Sequence, residues 1–153
     1  MQNINIGKSG IQVPFLGMGT WAIGGGSWWG DNDDALSVKA IQTAVEQGIQ
    51  WIDTAPIYGL YHSETVVGEA MKHIDRDKVV LSTKCGLEWR HETPVLHKVV
   101  DGTASTVTCL PRASSRTWRT ACAACTPIIW MCCTPTGRAL ISASTRWKRR
   151  WRP

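Results

Sequence analysis

Strand and helix patterns alternate through the first hundred residues, and this alternation restricts the fold more than any other feature of the sequence. The stretch "INIGKSGIQVPFLGMGTW" predicts a short hairpin and then an apolar strand that ends at Trp21. The stretch "DNDDALSVKAIQTAVEQG" predicts a helix with Asp33 or Asp34 as its cap and an apolar face that begins at Leu36. "IQWIDTA" then predicts a buried strand that ends at Asp53.

The same pattern continues after a loop. "SETVVGEAMKHI" predicts a second helix with Ser63 as its cap, and "KVVLSTKCG" predicts another buried strand that ends at Lys84. Repeated strand and helix units with short connections, and strands that are apolar on both faces, indicate an α/β fold with a parallel sheet covered by helices. At this level a βα barrel and an open doubly wound sheet both remain possible.

The composition of the chain changes abruptly near Thr103. All 12 acidic residues precede it, so that residues 1–103 carry 8 basic and 12 acidic residues and a net charge of −4. Residues 104–153 carry a net charge of +9 and five of the six Cys. No ordinary domain combines so many basic residues and Cys with no acidic residue at all. We therefore predict one folded unit over residues 1–103 and a disordered basic tail over 104–153.

A dinucleotide-binding fingerprint is present but weak. "GMGTWA" matches the spacing G-x-G-x-x-A after a strand. The fingerprint requires a helix that starts at the third small residue and meets a pyrophosphate. Here the chain continues "IGGGSWWGDN", which is too rich in Gly for that helix, so a strand end with a loop is the better interpretation.

A second set of residues is more informative. Asp53 and Lys84 end two successive strands and Tyr58 lies in the loop between them, so a parallel sheet would gather all three at its carboxyl edge. An ammonium group beside a phenol favours the phenolate, and a carboxylate keeps that ammonium charged. Tyr58 would then be a proton donor near neutral pH. Spacing alone also allows Asp53 to cap a loop, Lys84 to face solvent and Tyr58 to pack.

The stretch "GIQWIDTAPIYGLYHSETVVGEAM" resembles the aldo-keto reductase signature, in which a strand ending Asp-Thr-Ala is followed by Tyr-Gly and Ser-Glu-x-x-x-Gly. "FLGMGTW" and "VVLSTKCG" resemble the first and third strands of that family. The resemblance covers residues 1 to about 103, with Tyr61 as a departure where many members have Gly. It implies the N-terminal part of a (β/α)8 TIM barrel, formed by a hairpin and about three βα units.

The resemblance also implies a function and a site. The family reduces small aldehydes and ketones to alcohols with NADPH, less often NADH, and no metal is expected. Tyr58 would be the general acid, and Asp53 and Lys84 would tune it. The cofactor would be bound by Gly19, Thr20, Trp21 and Asp53, and the substrate would contact Trp21 and Tyr58.

Residues 104–153 do not resemble the family as they are written, but a shifted reading frame changes this. The family continues with a fourth strand of the type Asp-Tyr-Leu-Asp-Val-Leu-Tyr-Thr-His-Trp-Gln, which ends in a catalytic His. When the last base of each codon is joined to the first two of the next, Trp130 through Cys133 necessarily encode Asp-Val-Leu. We therefore expect a frameshift between about Val100 and Ser105, an inactive 153-residue chain, and an unpaired edge on the third strand.

Other interpretations of the tail are weaker. The four cysteines Cys122, Cys125, Cys132 and Cys133 fit zinc-ligand spacing poorly, because two are adjacent and no His accompanies them. "RWKRRWRP" would attract nucleic acid or a membrane surface electrostatically, and a basic binding protein on a partial barrel is the alternative hypothesis. We expect no specific nucleic acid, no membrane and a cytoplasmic location, since the chain shows no signal peptide and no long apolar run. The sequence makes no prediction of oligomeric state.

Overall fold

The structure is a computed structural model that describes residues 2–85, 87–88, 96–100, 102–107, 128–133 and 139–144. The chain begins with the predicted hairpin, formed by β1 (Asn3–Asn5) and β2 (Gln12–Pro14) in antiparallel register. The turn of this hairpin contains Ser9, whose hydroxyl donates a hydrogen bond to the Ile6 carbonyl over 2.7 Å. The hairpin precedes the first strand of the main sheet.

A parallel sheet covered by helices follows, as the alternating pattern predicted. Its elements are β3 (Met18–Gly19), α1 (Asp34–Glu46), β4 (Trp51–Asp53), α2 (His62–Met71) and β5 (Val80–Cys85). The three strands lie side by side in chain order and all run in the same direction. This order lacks the reversal that marks a doubly wound sheet, so it favours the barrel.

The core lies between the strands and the inner faces of α1 and α2. It is formed by Ile23, Ile41, Val45, Ile52, Val66, Val67, Ala70, Met71, Val79 and Leu81. In α1 the buried positions are Ser37, Ile41 and Val45, which are four residues apart and therefore lie on one face. Leu36, expected on that face, is 65% exposed, because it lies one position away from the buried row.

The two helices begin differently from each other. In α1 the predicted cap is present, since the Asp33 carboxylate accepts a hydrogen bond from the Leu36 backbone N–H over 3.0 Å. The prediction that Ser63 caps α2 was wrong, because the residue before the helix is Tyr61, at φ +80°. The Tyr61 side chain makes no capping hydrogen bond. Ser63 is instead fully buried in the first turn, where its hydroxyl contacts Thr20.

Strands also occur after β5. A three-stranded antiparallel sheet, in the order β6-β8-β7, contains β6 (Leu87–Glu88), β7 (Leu96–Val100) and β8 (Thr103–Val107). In the tail, β9 (Ile128–Cys133) pairs in parallel with β5, and β10 (Ala139–Ser144) pairs with β9 in the antiparallel sense.

The structure therefore differs from two expectations about the tail. The sequence predicted no ordered element there and an open edge at β5, whereas β9 occupies that edge. The physical reason is that Ile128–Cys133 is a run of apolar, strand-favouring residues, and strand pairing needs only backbone groups from them. Cys122, Cys125 and the Arg-rich end "RWKRRWRP" lie outside the described residues.

Among the residues whose positions the structure describes, no group of three or more His, Cys, Asp or Glu side chains is arranged to hold a metal ion. None of the helices in the described part combines the length and the apolar character needed to cross a membrane.

Candidate active site

An ion pair between Asp53 and Lys84 joins the ends of β4 and β5. The Lys84 ammonium donates a hydrogen bond to Asp53 Oδ2 over 2.6 Å and another to the Thr54 carbonyl over 3.0 Å. The Ser82 hydroxyl donates to the other carboxylate oxygen of Asp53 over 2.7 Å. Ser82 and Lys84 are two residues apart on the same strand, so their side chains point to the same face and reach the same carboxylate.

Tyr58 lies beside this ion pair. Its loop turns sharply after β4, with a hydrogen bond from the Tyr58 backbone N–H to the Ala55 carbonyl over 3.0 Å. Lys84 Nζ lies 4.9 Å from the centroid of the Tyr58 ring. The structure thus brings together Asp53, Tyr58 and Lys84, which the sequence placed at one edge of the sheet.

The charge of Lys84 is stabilised by these neighbours. Burial of the ammonium acts to lower the pKa of Lys84, but hydrogen bonding to Asp53 and Tyr58 and electrostatic attraction to these two groups act in the opposite direction. The second set of effects prevails and raises the pKa of Lys84 above its ordinary value. Lys84 is therefore held as an ammonium group next to the Tyr58 phenol.

Ser82 is a site residue that sequence reasoning missed. Its side chain is fully buried, and its hydroxyl accepts a hydrogen bond from Trp51 Nε1 over 3.0 Å while it donates to Asp53. Ser82 therefore holds Oδ1 of the Asp53 carboxylate while Lys84 holds Oδ2, and together they fix the orientation of this group. The available signal was its spacing of two residues from Lys84 in a predicted strand.

A network of buried hydroxyl groups lies behind the ion pair. The Thr20 hydroxyl and backbone N–H both donate to the Asp53 carbonyl, over 3.0 Å and 2.9 Å. The Ser63 oxygen lies 2.7 Å from Thr20 Oγ1 and 3.2 Å from Thr54 Oγ1. The network ties the ends of β3 and β4 to the first turn of α2. Since Thr20 is fully buried, its side chain contacts protein rather than the open surface.

A buried carboxylate belongs to the same region. Glu64 in α2 accepts a hydrogen bond from the Thr83 hydroxyl over 2.6 Å, while its Oε2 atom is buried without a hydrogen-bond partner among the described residues. Burial raises the pKa of Glu64, and the hydrogen bond from Thr83 and the charge of Lys84 oppose this increase without cancelling it. Glu64 therefore anchors α2 to β5 at the residue before Lys84, at an electrostatic cost.

Trp21 lies on the open side of the site. It is 44% exposed, and its ring stacks on Tyr58 with 6.1 Å between ring centroids and 27° between ring planes. Two further indoles contact it, Trp28 at 5.4 Å and Trp29 at 5.5 Å between centroids. Sequence reasoning missed Trp28 and Trp29, although two adjacent Trp residues in a loop rich in Gly were a visible signal.

Comparisons with known proteins agree with the resemblance seen in the sequence. The model of the aldo/keto reductase family matches residues 15–117, which is 103 of the 153 residues. Aldo-keto reductase YhdN of Bacillus subtilis is 44% identical over 98 residues, which are 63% of this chain and 29% of that protein. The NADH-specific methylglyoxal reductase of Escherichia coli is 43% identical over 102 residues, which are 66% of this chain and 31% of that protein.

Solved structures show the same fold. The glycerol dehydrogenase AKR11B4 from Gluconobacter oxydans superposes with a TM-score of 0.61 and 33% identity, covering 78% of this chain and 34% of that protein. The aldo-keto reductase AKR11C1 from Bacillus halodurans superposes with a TM-score of 0.62 at 21% identity, which supports the fold alone. The predicted N-terminal part of a TIM barrel is thereby confirmed. The chain spans about a third of the length of these relatives.

Proposed function

The chain belongs to the aldo/keto reductase family, and we propose that its first 103 residues are the beginning of a reductase that converts small aldehydes and ketones to alcohols. The observation that carries this proposal is the contact of Asp53, Lys84 and Tyr58 at the carboxyl edge of the parallel strands. The carboxyl ends of the strands are where βα barrels place their chemistry.

In this proposal Tyr58 is the general acid. Its phenol gives a proton to the carbonyl oxygen of the substrate while hydride is added to the carbonyl carbon, so that an alcohol and a phenolate result. The phenolate forms beside Lys84, whose raised pKa keeps the ammonium protonated and able to stabilise the new negative charge. Asp53 holds Lys84 in place through the 2.6 Å ion pair.

The surface beside Asp53 fits the nicotinamide end of a cofactor. Gly19 is exposed, pairs with Asp53 across the sheet, and has open space where a Cβ atom would lie. Gly19, Trp21 and Asp53 would hold the nicotinamide, and Thr20 would act from the interior by fixing the Asp53 backbone. When bound, the reduced nicotinamide supplies the hydride. NADPH is the proposed cofactor, and NADH, which the name of the Escherichia coli relative gives for that protein, is the alternative.

We also propose that the 153-residue chain has no reductase activity of its own, because its reading frame changes between about Val100 and Ser105. The support for this is the genetic code: Trp130 through Cys133 encode Asp-Val-Leu in the other frame, and the family's catalytic His fits the codons of Pro135 and Thr136. The domain boundary after residue 103 and the cytoplasmic location remain predictions from the sequence.

Two measurements test the proposal. In the shifted frame Ser105 to Pro111 can encode Tyr-Arg-Asp-Leu-Ser-Pro, the usual lead into the next helix of the family. Sequencing codons 98 to 112 should show a frame offset that restores this segment, and a gene without that offset would end the frameshift hypothesis. The 153-residue chain and a frame-restored version should then be assayed for NADPH oxidation with a panel of carbonyl compounds. We expect turnover only from the restored version, and saturable carbonyl-dependent oxidation by the 153-residue chain would contradict the proposed inactivity.

The role of Tyr58 is tested in the restored version. Tyr58→Phe retains the ring beside Trp21 and removes the proton donor, so kcat should fall by about 100-fold or more, the usual contribution of a general acid. Phe15→Leu, at an exposed position outside the site, serves as the control and should leave kcat unchanged. If Tyr58→Phe and Phe15→Leu have equal kcat values, Tyr58 is not the acid.

A further inference from the structure

Three tryptophans are unusually exposed beside the proposed general acid. Trp21, Trp28 and Trp29 are 44%, 50% and 52% exposed, whereas Trp in folded proteins is highly buried on average. Each contacts the group rather than standing alone, because both Trp28 and Trp29 have their ring centroids within 5.5 Å of Trp21. A contiguous exposed apolar patch of this kind marks a binding surface more often than a scattered exposed residue does.

Trp21, Trp28 and Trp29 form a wall of indole rings that are inclined to one another. Trp21 is nearly parallel to Tyr58, at 27°, so these two rings extend one surface toward the phenol. Trp28 is inclined to Trp21 by 50° and Trp29 by 81°. A planar ring can therefore lie against one indole while its edge meets the face of another, and these are the two arrangements that aromatic pairs prefer.

The wall is fixed in position relative to Tyr58 by the backbone. Gly24 packs so closely on the next loop that a Cβ atom there would lie 2.7 Å from the Tyr58 carbonyl carbon. The loop that carries Trp28 and Trp29 closes through a hydrogen bond from the Gly30 N–H to the Gly26 carbonyl over 2.8 Å. Asn32 ties the end of this loop to the Ile23 carbonyl over 3.1 Å. Little ordering of the loop would thus be needed on binding, which favours affinity.

We propose that Trp21, Trp28 and Trp29 bind the planar aromatic ring of an aryl aldehyde or aryl ketone and direct its carbonyl group toward Tyr58. This inference rests on the proposed function, which supplies the reaction, and adds the class of substrate. A carbonyl compound of only a few atoms could cover one ring of the wall, whereas an aryl ring offers a face to one indole and an edge to another. Trp21, which stacks on Tyr58, connects this wall to the phenol.

The binding part is tested with the 153-residue chain, by following the indole N–H signals in NMR spectra. Benzyl alcohol is the probe, because it has the aryl ring but cannot form a Schiff base with Lys84, and cyclohexylmethanol is its non-planar match. Benzyl alcohol should shift the signals of the three wall tryptophans in a saturable way. The signal of Trp51, whose indole N–H donates a hydrogen bond to Ser82, should not shift.

Substitutions in the wall test whether benzyl alcohol binds to it. Trp28→Leu and Trp29→Leu keep an apolar side chain but remove a flat face, and each should weaken benzyl alcohol binding about threefold to tenfold. Leu36→Ala, at another exposed apolar position, should leave it unchanged. Equal affinity for cyclohexylmethanol, no shift at Trp28 and Trp29, or shifts that depend on protein concentration without any ligand would each overturn the proposal. The last result would show that a second copy covers the wall.

The frame-restored reductase provides a second measurement. It tests the proposal even if Trp28→Leu or Trp29→Leu fails to fold in the 153-residue chain. The ratio of kcat/KM for benzaldehyde to kcat/KM for propanal should fall about threefold to tenfold in Trp28→Leu and Trp29→Leu. An unchanged ratio overturns the aryl preference while the reductase function stands. No turnover with either aldehyde, together with intact benzyl alcohol binding, contradicts the proposed function and leaves the ring-binding wall supported.

Discussion

The close approach of Gly24 to the loop of Tyr58 gives the sharpest stability prediction. In Gly24→Ala the new Cβ would lie 2.7 Å from the Tyr58 carbonyl carbon and 2.8 Å from the Gly59 nitrogen. An ordinary contact begins near 3.4 Å, so the two loops would have to separate by about 0.7 Å. Because the atoms that clash belong to the backbone, no side chain can rotate to relieve them.

The expected cost follows from this overlap. Adding atoms to a packed interior typically costs about 1–3 kcal/mol, and we expect Gly24→Ala to lower the free energy of unfolding by about 2 kcal/mol. Gly59→Ala should cost more, because its Cβ would clash with the Gly24 carbonyl oxygen and because Gly59 has φ +63°. That left-handed conformation adds about 1–2 kcal/mol for a residue with a side chain.

The assay is urea unfolding of the 153-residue chain, followed by circular dichroism and by tryptophan fluorescence. Gly68→Ala is the matched control, because Gly68 lies within α2 and a Cβ there meets nothing within 4 Å. The same chemical change should stabilise the chain at this position by about 0.5–1 kcal/mol, through helix propensity. A Gly24→Ala protein within about 0.5 kcal/mol of wild type, with an unchanged urea slope, would refute the close packing of the two loops.

Three further predictions concern the groups around the site. Ser63→Ala should destabilise the chain by about 2 kcal/mol, because the buried Thr54 hydroxyl and the Thr20 carbonyl lose their hydrogen bonds to Ser63. Ser9→Ala on the exposed hairpin turn should cost less than about 0.5 kcal/mol, and equal costs in urea unfolding would contradict the buried network. The pKa of Glu64 is raised, so between the ordinary pKa of a Glu and this raised pKa the folded state holds a proton that the unfolded state releases. Wild-type stability therefore falls as pH rises through this range. The stability advantage of Glu64→Gln over wild type should therefore grow between acidic and neutral pH, and a pH-independent difference would be evidence against the buried charge. In Asp53→Asn the pKa of Lys84 should fall, since burial is then opposed by fewer partners; an NMR titration of the Lys84 side chain that gives the wild-type value would show that Asp53 does not stabilise the ammonium.

Local pattern and parallel geometry were sufficient to predict the three groups at the centre of the site. Asp53 and Lys84 end neighbouring parallel strands, and any sheet of that type brings such ends to the same edge. The Asp33 cap of α1 was predictable for a similar reason, because a capping hydrogen bond needs only residues three apart. These features depend on short-range chemistry, which one sequence contains in full.

Contacts between distant segments were the part that could not be predicted. Ser63 has the sequence context of a helix cap, but its hydroxyl lies 2.7 Å from Thr20, which is 43 residues away in the chain. Trp28 and Trp29 look like loop residues until the packing of Gly24 on the Tyr58 loop places them at the site. In each case a tertiary contact decides between two local options that the sequence leaves equivalent.

The tail shows that the position of a strand and its function have different requirements. β9 pairs with β5 through backbone groups, so an apolar, strand-favouring run such as Ile128–Cys133 can occupy the fourth position of the sheet. In that register Met131 is the residue opposite Lys84. Catalysis requires particular side chains at particular places, and backbone pairing alone does not supply them. A shifted frame can therefore keep a strand next to β5 while it removes the chemistry that the family places there, which is why we expect no reductase activity from this chain even though its fourth strand is paired.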